Sequence, residues 1–403
     1  MGRGVFGLRA VELFCGAGGM SLGLKRAGIE VVGAYDAWDP AVETYRHNVG
    51  QYVHKHDLKD IFAVAPAIAR MAPDLIAGGP PCQDYSVAGK RVEGENASLT
   101  RAFAMLVCLA RPQWFVMENV PQAARSEAWA DGRKMLVRSG YGLSECKLDA
   151  SWYGVPQLRK RLFVIGRLGE RHGFLDSSLV KARSERQTVI SDVLDIPEGW
   201  VYARPFRAGR GVRGIHEPFP TVTRTAWERL TDRYLNNPHP ADPVPASQAA
   251  MLTTLHLAML QGFPDDWQWK GATRQDIHQM IANAVPSPLA EAIGCVILAR
   301  ENGQSIPEVE GRFMNWLMET GRSPQSARNV RSQVNRARRL LGGRTYSDIG
   351  LELARLELNA EFETLTVRTR SDLRAALRLY AEYLDRKGKA AHSRIAKISR
   401  MAA

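Results

Sequence analysis

Residues 10–21 read Ala-Val-Glu-Leu-Phe-Cys-Gly-Ala-Gly-Gly-Met-Ser, a short apolar run that passes through glycines into an amphipathic segment. Ala10–Phe14 predicts a strand, and Leu13 to Ser21 predicts its turn into a helix. Glycines let a backbone approach a ligand closely, and a helix N-terminus attracts a negative group. A glycine turn before a helix is often only a turn, but the next strand candidate, Val31–Tyr35, ends at Asp36. An acidic residue there, 18 positions after Gly18, is placed to accept hydrogen bonds from ribose hydroxyls. Ser21 stands where a dinucleotide fingerprint has its third glycine, so a dinucleotide and S-adenosylmethionine both stay open. Asp57, in His56-Asp57-Leu58, is a further candidate contact; its alternative is an exposed loop carboxylate.

Working outward, Asp74–Ala77, Trp114–Met117 and Leu162–Ile165 are further strand candidates, each followed by polar or glycine-rich residues. Strands alternating with amphipathic segments over the first 168 residues predict a doubly wound α/β sheet. In such sheets ligands sit at the carboxyl ends of the strands, so chemistry is sought there.

The chain has 403 residues, enough for two or three domains, with 45% hydrophobic and 24% charged residues, as in soluble globular proteins. No run of about 20 apolar residues suggests a bilayer span. Met1 to Gly19 lacks the layout of a signal peptide. Five cysteines form no CxxC pair and no His/Cys ligand spacing, so neither a disulfide frame nor a zinc site is expected, and a reducing cytoplasm fits. The net charge of +12 favours a polyanionic partner, most simply nucleic acid.

Two of the strand ends carry reactive groups. After Asp74–Ala77 comes Gly78-Gly79-Pro80-Pro81-Cys82-Gln83-Asp84-Tyr85-Ser86, where two prolines stiffen the approach to a thiol. After Phe115-Val116-Met117 comes Glu118-Asn119-Val120. Further along stand Gln157-Leu158-Arg159-Lys160-Arg161, Gln261-Gly262-Phe263-Pro264 and Asn283-Ala284-Val285-Pro286. Taken in this order, these segments resemble the ordered motifs of the cytosine-5 DNA methyltransferases of bacterial type, over roughly residues 9–300.

The resemblance implies a Rossmann-like methyltransferase sheet, S-adenosylmethionine as cofactor and double-stranded DNA as partner. It also implies Cys82 as the nucleophile that adds to carbon 6 of a flipped cytosine, making carbon 5 electron-rich enough to take a methyl group. Glu118, kept protonated by burial, would donate to ring nitrogen 3. Arg159 and Arg161 match the family's paired arginines; the first would hold the carbonyl at carbon 2 and the backbone near the thiolate, and for the second phosphate contact stays equally open. Asn119 shapes the loop. Phe14, Gly16, Gly18, Asp36, Asp57, Pro80, Leu99 and Asn283 would surround the cofactor, and Trp38 either covers the adenine or belongs to the core.

Between residues 169 and 251 Gly, Pro and Arg are frequent and helices are hard to place, which predicts a small irregular domain for target recognition. Arg204-Pro205-Phe206-Arg207-Ala208-Gly209-Arg210-Gly211-Val212-Arg213-Gly214 carries four arginines and no acid, and its glycines argue for a mobile loop. Arg204, Arg207, Arg210 and Arg213 are candidate DNA contacts, against the alternative of a solvated basic loop. Thr221, in Pro220-Thr221-Val222, resembles the family's closing Thr-hydrophobic pair. Leu255-His256 stands where Arg-Glu is usual, Ala282 where glycine is usual, and Tyr85 where phenylalanine is more common.

The expected division is therefore 1–168 for the cofactor-binding catalytic domain, 169–251 for target recognition, and 252–300 for a segment completing the catalytic domain. Residues 301–403 form an extra helical domain with 19 Lys+Arg against 12 Asp+Glu, or +7. There Ser323-Pro324 starts a helix with Ala327, Val330, Val334, Ala337 and Leu341 on one face, and a second stripe, Leu373, Leu377, Tyr380 and Leu384, follows the cap candidate Ser371. From Arg322 to Arg344 there are seven arginines and no acid; this suggests a grip on DNA backbone, with a stabilising or dimerising appendage as the equal alternative. Two competing functions remain: an RNA cytosine-5 methyltransferase, and a catalytically silent DNA-binding regulator. The expected location is the cytoplasm, on the nucleoid through DNA, and a restriction endonuclease is the possible genetic counterpart.

Overall fold

The computed structural model of the chain describes residues 7–81, 97–205, 209–226, 229–305 and 309–401, so Cys82, Tyr85 and Arg207 lie outside the described residues. The chain divides into two compact units. One comprises Met1–Leu168 with Leu179–Leu298, the other Gly169–Ser178 with Ala299–Ala403.

The first unit holds a large sheet built from β1 (Arg9–Leu13), β2 (Glu30–Asp36), β3 (Val53–Lys55), β4 (Leu75–Gly78), β5 (Trp114–Asn119) and β6 (Tyr141–Asp149). The two-residue strand β7 (Gln157–Leu158) precedes its last member, β8 (Lys160–Leu168). The order is β3-β2-β1-β4-β5-β8-β6. Strands β1 to β5 run parallel, and β8 runs antiparallel to both β5 and β6. All five expected strands are present. The expected set lacks β3, which has only three residues, and β6, whose Ser144, Glu145 and Lys147 break an apolar run.

The chain winds outward from β1 through β2 to β3, then returns to lay β4 on the other side of β1. That reversal makes the carboxyl ends of β1 and β4 the place where a crevice opens. Leu13 and Gly78 are register partners there.

Helices α1 (Gly19–Arg26), α2 (Asp39–Asn48), α3 (Ile61–Met71), α4 (Ala97–Ala110) and α5 (Glu127–Arg138) link the strands. Alternation along β2 sends Ala34 and Tyr35 into two different cores. Tyr35 joins Phe103, Leu106, Val107 and Leu136 of α4 and α5. Ala34 joins Val42 and Tyr45 of α2.

Residues 179–251 contain the end of α6 (Asp176–Lys181), the strands β9 (Trp200–Tyr202), β10 (Val212–Gly214) and β11 (Phe219–Pro220), α7 (Asp232–Asn236), and β12 (Ala250–Met251). Val201, Phe219 and Val222 pack into the same core as Tyr45, Leu257 and Phe263, so this stretch shares a core with the sheet. Val212–Gly214 is a strand paired with β9 rather than part of a mobile loop; Val212 is buried and Asp242 accepts from the amides of Gly211 and Val212.

The unit closes with α8 (Thr254–Leu260), α9 (Arg274–Asn283) and α10 (Ser287–Glu301). Arg274–Glu301 is long and apolar enough to qualify as a membrane span, against the sequence expectation. Extended backbone at Ala284 interrupts it, and Met280, Ile281, Leu289, Ile293 and Ile297 are buried, which accounts for its apolarity.

The second unit is helical: α11 (Gly311–Glu319), α12 (Pro324–Leu340), α13 (Ile349–Glu357), α14 (Ala360–Glu363) and α15 (Val367–Met401). The expected stripe on α12 is its core face, and Leu373, Leu377 and Tyr380 meet it. Ser323 caps α12, accepting from the Ser326 amide at 3.2 Å. Ser371 is no cap; α15 starts a turn earlier, where Thr366 Oγ1 accepts from the Thr369 amide. Residues Gly169–Ser178 belong to this unit and not to the recognition segment, because the buried Glu170 carboxylate is held by Arg300 and by the amide and hydroxyl of Thr345.

Candidate active site

At the end of β1 the chain turns sharply: Phe14, Gly16 and Gly18 all have left-handed φ, at 57°, 52° and 94°. A side chain on Gly18 would collide with Val49 and Tyr45, which fill the space behind the turn. A Cβ on Gly19 would lie 2.4 Å from the Val285 carbonyl oxygen, so α1 starts in backbone contact with the 284–286 segment. That contact carries Asn283 and Ala284 to the carboxyl edge of the sheet.

The result is a cavity of about 580 Å³. Phe14, Gly16, Asp36, Asp57, Pro80, Leu99 and Asn283 all line it, as do Glu118, Arg159 and Arg161. Pro81 lies on the same wall, and Trp38 faces it too, as only part of its surface is buried. Gly18 does not line it; its part is the turn. Arg204, Arg210, Arg213 and Thr221 do not line it either.

Asp36 is the anchor of one end. Its carboxylate accepts from the Gly16 amide at 2.8 Å and the Trp38 amide at 2.9 Å, which fixes its orientation. Burial raises its pKa, opposed by those backbone hydrogen bonds. A fixed carboxylate with lone pairs left over, beside a half-buried indole and a glycine turn at a helix start, fits a nucleoside bearing a ribose diol. The donor set therefore suits S-adenosylmethionine. Asp57 is exposed and accepts from the Lys59 amide at 3.0 Å, its outer edge toward the cavity.

Glu118 is the anchor of the other end. It is buried at the end of β5, and burial raises its pKa despite Arg161 and Arg159 nearby. Arg161 Nε lies 3.0 Å from Glu118 Oε1. Arg159, fully buried and also on the cavity wall, donates through Nη2 to the carbonyls of Ala282 at 2.9 Å and Ala284 at 3.1 Å. The neighbouring Asn119 donates to the Pro80 carbonyl and accepts from the Val120 amide, tying the β5 end to the proline loop.

Sequence reasoning missed a second layer. Glu12, on the cavity wall, accepts from the Ser21 hydroxyl, which also meets Tyr45 Oη at 2.7 Å. Burial pushes Glu12 up to about 8, so it is largely protonated at neutral pH. Gln157 donates to Gln261 Oε1 at 2.7 Å and accepts from the Val222 amide at 2.9 Å, while Gln261 donates to the Ala284 carbonyl. These amides bind the segment around Thr221 to the segment holding Asn283. The only hint in the sequence was that both glutamines open motifs.

The recognition candidates are more constrained than their composition suggested. Glu217 pairs with Arg210 at 2.5 Å, and burial lowers the pKa of Arg213, whose guanidinium donates to the Arg210 carbonyl. The Thr221 hydroxyl is donated to the Leu158 carbonyl, seating β11 beside β7. Arg204 is exposed.

Residues 8–203 and 207–299 match the family model of C-5 cytosine-specific DNA methylases. The chain belongs to that family. This methylase is 38% identical over 295 residues to the type II methyltransferase M.HindV of Haemophilus influenzae, covering 72% of this chain and 96% of the relative. It is 40% identical over 298 residues to M.HgiDI of Herpetosiphon aurantiacus, covering 70% and 92%. Among solved structures, the Dnmt2 methyltransferase of S. pombe superposes with a TM-score of 0.57 at 20% identity, covering 73% of this chain and 99% of the other, a likeness of fold. The methylase is thus a DNA cytosine-5 methyltransferase that uses S-adenosylmethionine, and the RNA and silent-regulator alternatives fall away.

Proposed function

We propose that this methylase modifies a cytosine within a short duplex sequence by transient covalent addition of Cys82 to carbon 6. The observation that carries this reading is the shared cavity: the Asp36 end and the Glu118–Arg161 end open into one space, with Pro80 and Pro81 between them in sequence leading to Cys82.

S-adenosylmethionine, held by Asp36, Phe14, Gly16 and Asn283, supplies an electrophilic methyl group. The chain supplies the rest. Cytosine leaves the duplex, at a cost of a few kcal/mol. The Cys82 thiolate forms a bond to carbon 6 as the ring's π electrons move toward nitrogen 3. Glu118, whose pKa burial raises, donates a proton there, which leaves an enamine with a nucleophilic carbon 5. After methylation a base takes the carbon 5 proton, the thiolate leaves carbon 6, and nitrogen 3 returns its proton to Glu118, which restores the ring. Arg161, beside Glu118, takes part in holding the carbonyl at carbon 2, and Arg159, which also lines the cavity, holds the 282–284 backbone as well.

Residues 179–251, with Arg204, Arg207, Arg210 and Arg213, read the site; Glu217 must release or share Arg210 when DNA arrives. Thr221 acts by seating that segment. The names of the relatives support a type II restriction–modification setting, with a restriction endonuclease as genetic counterpart and the cytoplasmic nucleoid as location. Duplex DNA with 5-fluorocytosine at the target tests the mechanism, because fluorine blocks the final proton loss. Wild type should form a denaturation-resistant adduct and Cys82→Ala none. An adduct of equal yield in the variant would exclude Cys82.

A further inference from the structure

We infer that the helical unit carries a second DNA-binding surface, the outer face of α12, which takes the phosphate backbone of duplex DNA without reading its sequence. Apart from Gly169–Ser178 and Ala299, this unit lies beyond residue 299, where the family match ends, so the family's own chemistry does not account for α12. The inference rests on the family's DNA substrate and not on the role proposed for Cys82.

Ala327, Val330, Val334, Ala337 and Leu341 turn one side of α12 into the bundle core. Helical geometry then places Arg328, Arg331, Asn335 and Arg339, spaced three, four and four apart, along the opposite side, with Ser332 between and Arg336 at the flank. All four arginines are exposed. From Arg328 to Arg339 the row covers about 16 Å, the axial rise of about five base pairs. It can meet several successive phosphates.

The charge on this face is uncompensated. Arg328 donates to the neutral Gln325 at 2.8 Å, and Arg331 contacts the Met314 sulfur at 3.6 Å. Among the described residues, none of Arg328, Arg331, Arg336 and Arg339 is paired with a carboxylate. Some other basic side chains of the unit do have such partners: Arg374 pairs with Glu357, Arg386 with Glu382 and Lys387 with Glu310. Arg338, on the same helix, is buried against the Tyr380 ring and serves the bundle. Like charges three and four residues apart destabilise a helix, and α12 carries no acid to offset them. The occupant that relieves this repulsion is a polyanion with regularly spaced charges. Duplex DNA, already the substrate, is that occupant.

The experiment compares the full-length wild type with the quadruple variant R328Q/R331Q/R336Q/R339Q, and with the corresponding four Arg→Lys changes. Affinity for a duplex lacking the target is read by fluorescence anisotropy between 50 and 300 mM salt. The Gln variant should bind at least about tenfold more weakly at low salt, with a salt slope shallower by about 3, and the Lys variant should keep the slope. At saturating DNA the Gln variant should methylate at the wild-type rate while its KM for DNA rises. Circular dichroism and thermal melts check that both variants keep the bundle. A slope unchanged in the Gln variant overturns the inference, as does a loss confined to duplex RNA measured in parallel. Because binding is read without turnover, failure of the Cys82 mechanism would leave this result intact.

Discussion

Arg161 Nε stands 3.0 Å from Glu118 Oε1, whereas Arg159, two residues earlier, is locked onto the carbonyls of Ala282 and Ala284. The two arginines of one motif therefore make different contacts. Arg161 faces the carboxyl proposed to protonate the base, and Arg159 Nη2 holds the backbone that leads to Asn283.

The first prediction concerns Glu118. Burial raises its pKa, so the protonated donor exists below that raised value and is lost as pH rises through it. The single-turnover rate of the wild type should fall on the alkaline side. Glu118→Gln should be slower by about 10²–10⁴ and lack that limb. Removing Arg161, whose charge opposes the upward shift, should move the limb to higher pH. A limb unchanged in Glu118→Gln would assign the titration to another group.

The second concerns Glu12. Its folded pKa of about 8 lies above the ordinary 4.5, so above pH 4.5 the folded state binds more protons than the unfolded one. Stability from this group is full below the unfolded pKa and is lost as pH rises toward about 8. Urea unfolding at pH 5, 6.5 and 8 should show the wild type losing on the order of a few kcal/mol across this range, from this group. Glu12→Gln keeps the protonated shape and should flatten that slope. An equal slope in both proteins would mean that Glu12 is ionised in the fold.

The third concerns Gln157 and Gln261. Either one changed to Leu leaves buried amide partners without a hydrogen bond, costing about 1–3 kcal/mol. The double variant should cost less than the sum of the two, with a coupling of about 1 kcal/mol measured by a double-mutant cycle. DNA affinity should weaken in the Gln157→Leu variant, because Gln157 also holds the Val222 amide of the segment proposed for recognition. Strict additivity would show that the two amides act independently.

The strand ends were legible in the sequence because the relevant signals are local. The glycine turn after β1, Asp36 after β2 and Glu118 in β5 each stand within a few residues of an apolar run. The separate partners of the two arginines were not legible. Residues 159 and 161 share a spacing of two, so both project to the same side of an extended chain. Only neighbours brought from positions 118 and 282–284 distinguish them. The acid on Arg210 was hidden for the same reason: the arginine-rich stretch contains none, and Glu217 arrives through the turn that follows β10.

Sequence by itself determined the alternation that builds the sheet, the left-handed turn that glycine permits, and the apolar stripe that buries one side of α12. These follow from backbone sterics and side-chain period, which act over a few residues. Tertiary structure alone decided which arginine meets Glu118, that burial keeps Glu12 protonated against the Ser21 hydroxyl, and that Gly169–Ser178 joins the helical unit. Those depend on burial and on charges far apart along the chain, where desolvation sets which proton is kept and which pair forms.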